Sequence, residues 1–303
     1  MVETTDDWIV SRTGIRSRRI VETGVTTSDI AIEASRLALT RSGISPRELD
    51  LIIVATVTPD MLTPSTACIV QAAIGAQNAA AIDISAGCTG FIYGMVTAEK
   101  VLLSSDYRYA LVVGAETLSK VTDWTDRNTC IIFADGAGAM ILGKGLGSQG
   151  ILSSCLGADG GGADLIRIPA GGSKIPASQE SIANGLHFLK MNGQDVFKFA
   201  VKAIPEYTNR VLAQAGFSIE DVDHFVFHQA NLRIIENGAK RLNIPMNKVL
   251  TNVEWNGNSS AASIPVVIAE AEEAGKIKSG ELVLMMGFGA GLTTGAVLVR
   301  WGS

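Results

Sequence analysis

The residue with the clearest chemical potential is Cys88, which lies in the sequence Ser-Ala-Gly-Cys-Thr-Gly between two apolar stretches. Residues 80–84 predict a buried strand, Ser-Ala-Gly predicts a tight turn, and residues from 89 onwards predict a buried helix. Cys88 then lies at the first helical turn, where unpaired N–H groups and the helix dipole favour negative charge. Both effects lower the pKa of a thiol, so we expect a thiolate nucleophile. The alternative is an inert buried cysteine, the commoner state of a free cysteine in an apolar segment.

His228 and Asn258 lie at comparable turns. His228 follows a predicted strand, 225–227, and Asn258 lies in a Gly-Asn-Ser turn before a predicted helix, 260–274. Sites in α/β proteins collect at such strand ends and helix starts. A glycine-rich turn, 287–295, could present N–H groups to an oxyanion. Each feature alone has a structural explanation in hydrogen bonding, turn formation or helix capping, so the argument depends on their combination.

Composition restricts the class of protein. The chain has 303 residues and a net charge of −5, which disfavours broad nucleic-acid binding. No apolar run is long enough to span a bilayer, and the N-terminus has no signal-peptide pattern. The cysteines at 68, 88, 130 and 155 lack metal-binding spacing. We therefore expect a cytoplasmic protein with reduced cysteines, no membrane association, no metal and no cofactor.

The order of predicted elements repeats after residue 150. GISPRELDLIIVAT, from Gly43, aligns with GFSIEDVDHFVFHQ, from Gly216. We predict an α/β fold of two similar halves, 1–150 with the cysteine and 151–303 with the histidine and asparagine, each a β-α-β-α-β-α-β-β unit. Strands are predicted at 49–56, 80–84, 109–114, 129–133, 137–142, 150–156, 225–227, 249–253, 281–286 and 294–300. Helices are predicted at 30–41, 65–74, 89–104, 196–215, 234–242 and 260–274.

The repeat is unequal at its start. The second half begins with a predicted strand, 150–156, and the first half has no counterpart before Asp29. A missing interior strand would leave backbone groups of its neighbour unpaired. We therefore predict that the natural product begins upstream of Met1, which the intact mass of the native protein tests.

Together, the segments SAGCTGF, HQAN, GNSSAAS, DDWIVSRTGIR and TDRNTCIIFADGAGA closely resemble the β-ketoacyl-acyl carrier protein synthase III family. The resemblance runs from Thr4 to Trp301. It implies a thiolase-like fold, a five-layer αβαβα sandwich whose first strand is absent here, and a homodimer. It also implies decarboxylative condensation of an acyl-CoA, acetyl-CoA or another short primer, with malonyl-acyl carrier protein, which initiates fatty-acid synthesis.

The resemblance assigns the chemical roles. Cys88 takes the acyl group from CoA, and the N–H groups of Cys88 and Ala290 hold the oxyanion. His228 and Asn258 hold the enolate formed when malonyl loses CO₂. Phe288 lies beside the malonyl carboxylate. The family usually has glycine where Ala290 stands, and alanine can serve if its φ is acceptable.

The resemblance also assigns binding residues. Trp8 and Arg12 would be the pair around the adenine of CoA. The full set of CoA-binding residues would be Thr4, Trp8, Arg12, Arg127, Gly193, Phe197, Ala230 and Asn231. Those that would form a basic patch for an acidic carrier protein are Lys198, Arg233, Lys240 and Arg241, although on charge alone an ordinary solvated helix face is favoured. Thr63 falls where the family reaches into the acyl pocket of the partner subunit, and its small size favours a longer or branched primer.

Other functions remain open at this level. A thiolase needs a second cysteine near 286–289, and elongating condensing enzymes use histidine where Asn258 stands, so both are disfavoured. A relative that transfers acyl groups to oxygen or nitrogen would keep Cys88 and His228. A papain-like hydrolase uses Cys, His and Asn on a different scaffold. A CoA-binding protein without activity would form no acyl-enzyme.

Overall fold

A computed structural model describes residues 2–145 and 147–302. The first half contains helices α1 (Asp6–Thr13), α2 (Thr27–Ser42), α3 (Thr66–Ile74), α4 (Gly90–Ser104) and α5 (Arg127–Cys130), and strands β1 (Leu51–Ala55), β2 (Ala80–Ile84), β3 (Tyr109–Thr117) and β4 (Asp135–Gly143). The second half contains helices α6 (Gln179–Ala183), α7 (Gly193–Ala215), α8 (Leu232–Arg241), α9 (Val253–Asn256) and α10 (Ser263–Glu273), and strands β5 (Gly150–Ala158), β6 (Ile166–Arg167), β7 (Lys190–Met191), β8 (His224–Phe227), β9 (Leu282–Gly289) and β10 (Thr293–Arg300).

Two mixed sheets form the centre of the molecule. The first has the order β2-β1-β3-β4, with β1 parallel to both neighbours and β4 antiparallel to β3. The second has the order β5-β10-β9-β8, in which β8 and β9 are parallel. A two-stranded ribbon pairs β6 with β7. Every residue of β1 is buried, as expected for a strand that helices cover on both faces.

Helices cover both faces of each sheet and make five layers. Successive side chains of a strand point to opposite faces, so Ile52 of β1 packs against α2 and α3, and Ile53 packs against α4. In β9, Met285 likewise faces the middle layer of α4 and α10, and Met286 faces α7 and α8. The order is therefore helices, sheet, helices, sheet, helices. None of the helices in the described ranges is long and apolar enough to cross a membrane.

Two predicted strands are wrong. Residues 129–133 contain the end of α5 and a turn, because the Asp126 side chain accepts the Asn128 N–H and caps a short helix. Residues 249–253 form only an isolated bridge from Val249 to Phe225. The N–H groups of the following residues, 252 and 253, instead donate to the side chain of Gln229.

The two sheets differ at one edge. β10 pairs with β9 on one side and with β5 on the other, whereas β4, the corresponding strand of the first sheet, pairs only with β3 within residues 2–145 and 147–302. This difference coincides with the unequal start of the sequence repeat. The upstream start stays a prediction.

Candidate active site

Cys88, His228 and Asn258 come together at one cavity of about 310 Å³ between the two halves. Cys88 is the middle residue of a 3₁₀ turn, Gly87–Thr89, immediately before α4. His228 follows β8, and Asn258 precedes a 3₁₀ turn, Ser260–Ala262, that leads into α10. The cavity also has Phe288 and Ala290 in its walls and is mostly apolar. The fold therefore assembles the residues that the sequence analysis selected.

The protonation state of Cys88 differs from the prediction. Burial raises the pKa of its thiol to about 12 and outweighs the hydrogen bonds from Ser260 and from the N–H groups of Cys88 and Ala290, which lower it. The lowered pKa predicted from the helix start is therefore wrong. A helix dipole supplies only about half a charge, whereas an anion on a mostly apolar cavity wall loses part of its hydration. This shift favours the neutral thiol of Cys88 in the cavity without substrate.

His228 is buried and neutral. Burial lowers its pKa to about 3, and its side chain is only 1% exposed. Nδ1 lies 2.7 Å from Ser263 Oγ, and that oxygen also accepts the Gln229 N–H at 3.4 Å. The imidazole contacts Phe288 edge-on, with ring centroids 5.1 Å apart. Its Nε2 remains for a ligand in the cavity.

Backbone and side-chain hydrogen bonds fix the orientation of Asn258. Its N–H donates to the Ile132 carbonyl at 3.0 Å, and its carbonyl accepts from Ala134 at 2.9 Å. Its Oδ1 accepts the Ser260 N–H at 2.9 Å. Because Oδ1 is occupied, the amide Nδ2 is the donor available to a ligand.

The Ala290 N–H faces Cys88. A Cβ built on Gly87 would lie 2.8 Å from Ala290 N, so only glycine fits between this N–H and the turn of Cys88. Gly87 also has a φ of 54°, which favours glycine. The residues with positive φ other than glycine are Asn243 and Ser260 within the described ranges, so the backbone of Ala290 is one that alanine adopts readily.

The predicted CoA residues occupy two places. Gly193, Ala230 and Asn231 line the cavity, whereas Phe197 packs, partly buried, against the core of the outer helix layer. At the other place, the guanidinium of Arg127 lies 4.7 Å from the ring centroid of Trp8 and that of Arg12 lies 5.5 Å away. Arg127 is therefore the closer stacking partner of Trp8.

Thr4 is partly exposed, and its buried Oγ1 has no hydrogen-bond partner among the described residues. Arg127, which the prediction placed beside Thr4, donates to the carbonyl of the preceding residue, Glu3, at 3.2 Å. The N-terminal segment that contains Trp8 therefore has one buried side-chain oxygen, Thr4 Oγ1, that makes no hydrogen bond within the described residues.

The remaining predicted residues are on the surface. Arg233, Lys240 and Arg241 are exposed on α8, whereas Lys198 on α7 forms an ion pair with Asp195 at 2.9 Å. Thr63 is exposed and follows Leu62, whose side chain is 84% exposed.

The sequence analysis missed three residues. Ser260 faces Cys88, Ser263 contacts His228, and Glu116 is fully buried behind Ser260. Both serines lie in the segment GNSSAAS that was selected for Asn258. The signal for Glu116 was a single carboxylate at the end of an apolar strand, YALVVGAET.

The fold and site together define a thiolase-like acyltransferase. The family model for 3-oxoacyl-[acyl-carrier-protein] synthase III matches residues 82–160. The model for the C-terminal region of the same family matches residues 212–301. A β-ketoacyl-[acyl-carrier-protein] synthase III of Syntrophomonas wolfei is 55% identical over 302 residues, which is 100% of this chain and 91% of the relative.

Solved structures agree. A 3-oxoacyl-[acyl-carrier-protein] synthase III from Aquifex aeolicus has a TM-score of 0.91 and 43% identity, covering 99% of this chain and 92% of that one. A synthase III from Thermus thermophilus has a TM-score of 0.92 and 42% identity, covering 100% and 92%. The chain belongs to the β-ketoacyl-acyl carrier protein synthase III family, and the predicted thiolase-like fold is confirmed.

Proposed function

We propose that this enzyme condenses a short acyl-CoA with malonyl-acyl carrier protein to give 3-oxoacyl-acyl carrier protein, CoA and CO₂, which initiates fatty-acid synthesis in the cytoplasm. The observation that carries the proposal is that Cys88, His228 and Asn258 share one apolar cavity with the Ala290 N–H. In this reaction acyl-CoA is a substrate and not a resident cofactor.

In the first half-reaction, Cys88 Sγ attacks the thioester carbonyl and CoA leaves. The N–H groups of Cys88 and Ala290 stabilise the tetrahedral oxyanion, and each such donor contributes about 3 kcal/mol to the transition state. Their positions beside Sγ support this role, because an oxyanion formed on the attacked carbon lies next to the sulfur.

In the second half-reaction, malonyl loses CO₂ and the enolate oxygen needs two hydrogen-bond donors. Nδ2 of Asn258 is one, since Oδ1 is occupied by Ser260. His228 is the other: we propose that Ser263 Oγ donates to Nδ1, so that the proton of the neutral ring is on Nε2. Buried Phe288 lies against His228 and disfavours the malonyl carboxylate, which makes its loss easier.

The CoA part of the substrate would extend from the cavity to Trp8. Gly193, Ala230 and Asn231 line the start of this path. We propose that the adenine stacks between the rings of Trp8 and one guanidinium, and Arg127 is favoured by its shorter distance to Trp8. Arg12, Thr4 and Phe197 complete the CoA site in this proposal.

The malonyl group arrives on an acidic carrier protein, and α8 offers a basic surface for it. Arg233, Lys240 and Arg241 are exposed there, and no ion pair in residues 2–145 and 147–302 includes them. Lys198 is a weaker candidate, because its charge is partly neutralised by Asp195.

We propose a homodimer that pairs two copies of β2. β2 is an edge strand of the first sheet. The side chain of Ile82, the middle residue of β2, is 43% exposed, which is unusual for an apolar residue in a strand. The neighbouring segment exposes Met61 (48%) and Leu62 (84%). In such a dimer, Thr63 would reach the acyl pocket of the partner subunit and affect the primer length.

A partial-reaction assay tests the proposal. Wild-type enzyme is incubated with acetyl-, isobutyryl- and octanoyl-CoA, and intact-mass spectrometry follows acylation of Cys88. With malonyl-acyl carrier protein, CO₂ release and the 3-oxoacyl product are measured. We expect His228→Ala and Asn258→Ala to retain acylation and lose decarboxylation, and Cys88→Ala to lose acylation.

Full decarboxylation by either of the first two variants would refute the assigned roles. Acyl transfer to an oxygen or nitrogen acceptor without CO₂ release would instead identify the alternative acyltransferase. A condensation product formed without any adduct on Cys88 would remove the basis of the proposal.

A further inference from the structure

A fully buried carboxylate lies behind the nucleophile. Glu116 is 0% exposed at the end of β3. Its Oε2 accepts hydrogen bonds from Thr58 Oγ1 at 2.8 Å, Thr56 Oγ1 at 3.1 Å and the Val57 N–H at 3.1 Å. Burying a carboxylate is costly, and these donors offset that cost in the ionised form. The roles of substrate-facing residues above leave this group unused.

The directions of these hydrogen bonds are fixed. Thr58 Oγ1 accepts the Thr117 N–H at 2.9 Å, and Thr56 Oγ1 accepts the Thr58 N–H at 3.0 Å. The hydrogens of both hydroxyls are therefore free to donate to Oε2 of Glu116. Among the residues that the structure describes, Oε1 has only a longer hydrogen bond, 3.3 Å from the Val57 N–H. A proton taken up by Glu116 would consequently be on Oε1.

Ser260 lies between Glu116 and Cys88. Its hydroxyl lowers the pKa of both side chains, and it lines the cavity together with Cys88 and with Val57, whose N–H donates to Glu116. Its backbone has a φ of 50°, a strained conformation for serine, and the bond from its N–H to Asn258 Oδ1 helps to hold it. Gly114 of β3 allows this approach, because a Cβ there would lie 2.3 Å from the Ala261 carbonyl oxygen. The strand that carries Glu116 thus touches the turn that carries Ser260.

We propose that Ser260 and Glu116 relay the proton of the Cys88 thiol during acylation. The thiol donates to Ser260 Oγ, which passes its own proton to Oε1 of Glu116 as Sγ bonds to the thioester carbon. When the bond from that carbon to the CoA sulfur breaks, the proton returns through Ser260 to the CoA thiolate, which leaves as the thiol. Ser260 lies beside the reacting sulfur, and Glu116 holds the proton through Ser260 without touching the substrate.

The charges around Glu116 are consistent with this relay. Burial raises its pKa to about 7, although the bonds from Thr58, Val57, Ser260 and Thr56 lower it. Cys88 is the titratable group that faces it across Ser260, and none of the ion pairs formed by the described residues includes Glu116. A neutral thiol that must lose its proton on attack needs an acceptor at hand, and neutral His228 is already engaged through Nδ1.

The inference rests on the proposed acylation of Cys88, and the test measures that step alone. Single-turnover acylation by acetyl-CoA is followed by intact mass from pH 5.5 to 9 in wild type, Ser260→Ala, Glu116→Gln and Glu116→Asp. Because Glu116 must be ionised to accept the proton, we expect the wild-type rate to rise with pH through about 7 and then level. Ser260→Ala and Glu116→Gln should be about 100-fold slower at pH 8, the low end of the usual range for a lost general base.

In these two variants the inflection near neutral pH should disappear, and Glu116→Asp should restore it. Ser259→Ala is the matched control: it removes the neighbouring buried hydroxyl and should keep the wild-type profile. If Glu116→Gln does not fold, Ser260→Ala decides alone. A wild-type profile in Ser260→Ala would overturn the relay while the acyl-enzyme stands, whereas an absence of acylation in wild type would instead refute the proposed function.

Discussion

Ser263 Oγ lies 2.7 Å from Nδ1 of His228 and also accepts the Gln229 N–H. Ser263 is the first residue of α10, whereas His228 follows β8, so the contact joins two elements of the second half at the cavity. A hydroxyl that already accepts one hydrogen bond is free to donate its own hydrogen to Nδ1. The imidazole then presents N–H, and not a lone pair, to the enolate.

Ser263→Ala should therefore weaken decarboxylation. Without the hydroxyl, the ring is free to carry its proton on Nδ1, and Nε2 then becomes an acceptor that repels the enolate. We expect the rate of CO₂ release from malonyl-acyl carrier protein to fall about tenfold, less than the roughly 100-fold cost of a lost proton donor, because some of the rings still carry the proton on Nε2. Acylation of Cys88 by acetyl-CoA serves as the internal reference, and Ser263→Thr should recover most of the loss. An unchanged rate in Ser263→Ala would show that another contact sets the tautomer.

The buried neutral His228 should make the protein sensitive to acid. Its pKa is about 3 in the folded state and about 6.5 when exposed, so the unfolded chain binds the proton first. The contribution of neutral His228 to the free energy of unfolding is fully present above pH 6.5 and is lost as the pH falls from 6.5 towards 3. At pH 5.5, about one unit below the unfolded value, this loss is about 1 kcal/mol of unfolding free energy.

Urea unfolding of wild type and His228→Gln at pH 7.5 and 5.5 measures this contribution. Glu116 has the opposite effect, because its raised pKa makes the folded state bind the proton first, between pH 7 and 4.5. Both proteins retain Glu116, so the difference between them isolates His228. Wild type should lose about 1 kcal/mol more than the variant on acidification. Equal losses would mean that His228 is protonated in the folded protein.

Gly87→Ala should damage the oxyanion site. The new Cβ would lie 2.8 Å from Ala290 N and would push that N–H away from Cys88. We expect acylation to slow about 100-fold, as for the loss of one oxyanion donor. Gly43→Ala is the matched control, since Gly43 also has a positive φ, 68°, but open space around its Cβ position. A similar fall in both variants would trace the effect to backbone strain and not to Ala290.

The converse substitution, Ala290→Gly, keeps the N–H in place. Because the N–H is the donor and Ala290 needs no positive φ, acylation should stay within about threefold of wild type, well below the effect of losing an oxyanion donor. A tenfold gain would show that the alanine methyl obstructs the substrate. The same single-turnover acylation assay is used for Gly87→Ala and for Ala290→Gly.

Turn position and apolar patterning were sufficient to predict most of the architecture. Cys88, His228 and Asn258 each stand at a strand end or a helix start, and the repeat places these turns at one cavity between the two halves. The segment around Phe133 was misassigned because its apolar residues resemble a strand, while its backbone pairs with Asn258 only through a single bridge. Local patterns do not report such long-range pairing.

The pKa of the Cys88 thiol was harder to predict from the sequence. Helix position predicts a stabilised anion, but the depth of the cavity reverses the direction, and depth arises from contacts between distant segments. Glu116 had a visible signal in the sequence, yet its relation to Ser260 depends on the close approach at Gly114. Electrostatic environment was therefore the part of the site that required the folded structure.

Arg233→Glu on α8 tests the proposed carrier-protein surface. The substitution reverses an exposed charge outside the cavity lining, so the steps within the cavity should proceed normally. Attraction between a basic surface and an acidic partner mainly affects association, and we expect KM for malonyl-acyl carrier protein to rise about fivefold to tenfold with kcat within twofold. Lys276→Glu, in the exposed turn after α10, makes the same charge change elsewhere and should leave KM unaltered.

The wild-type KM should also rise with salt more steeply than that of Arg233→Glu, because screening removes an attraction that the variant lacks. An equal rise in KM for both charge reversals would attribute the effect to net charge and would remove α8 as the docking surface.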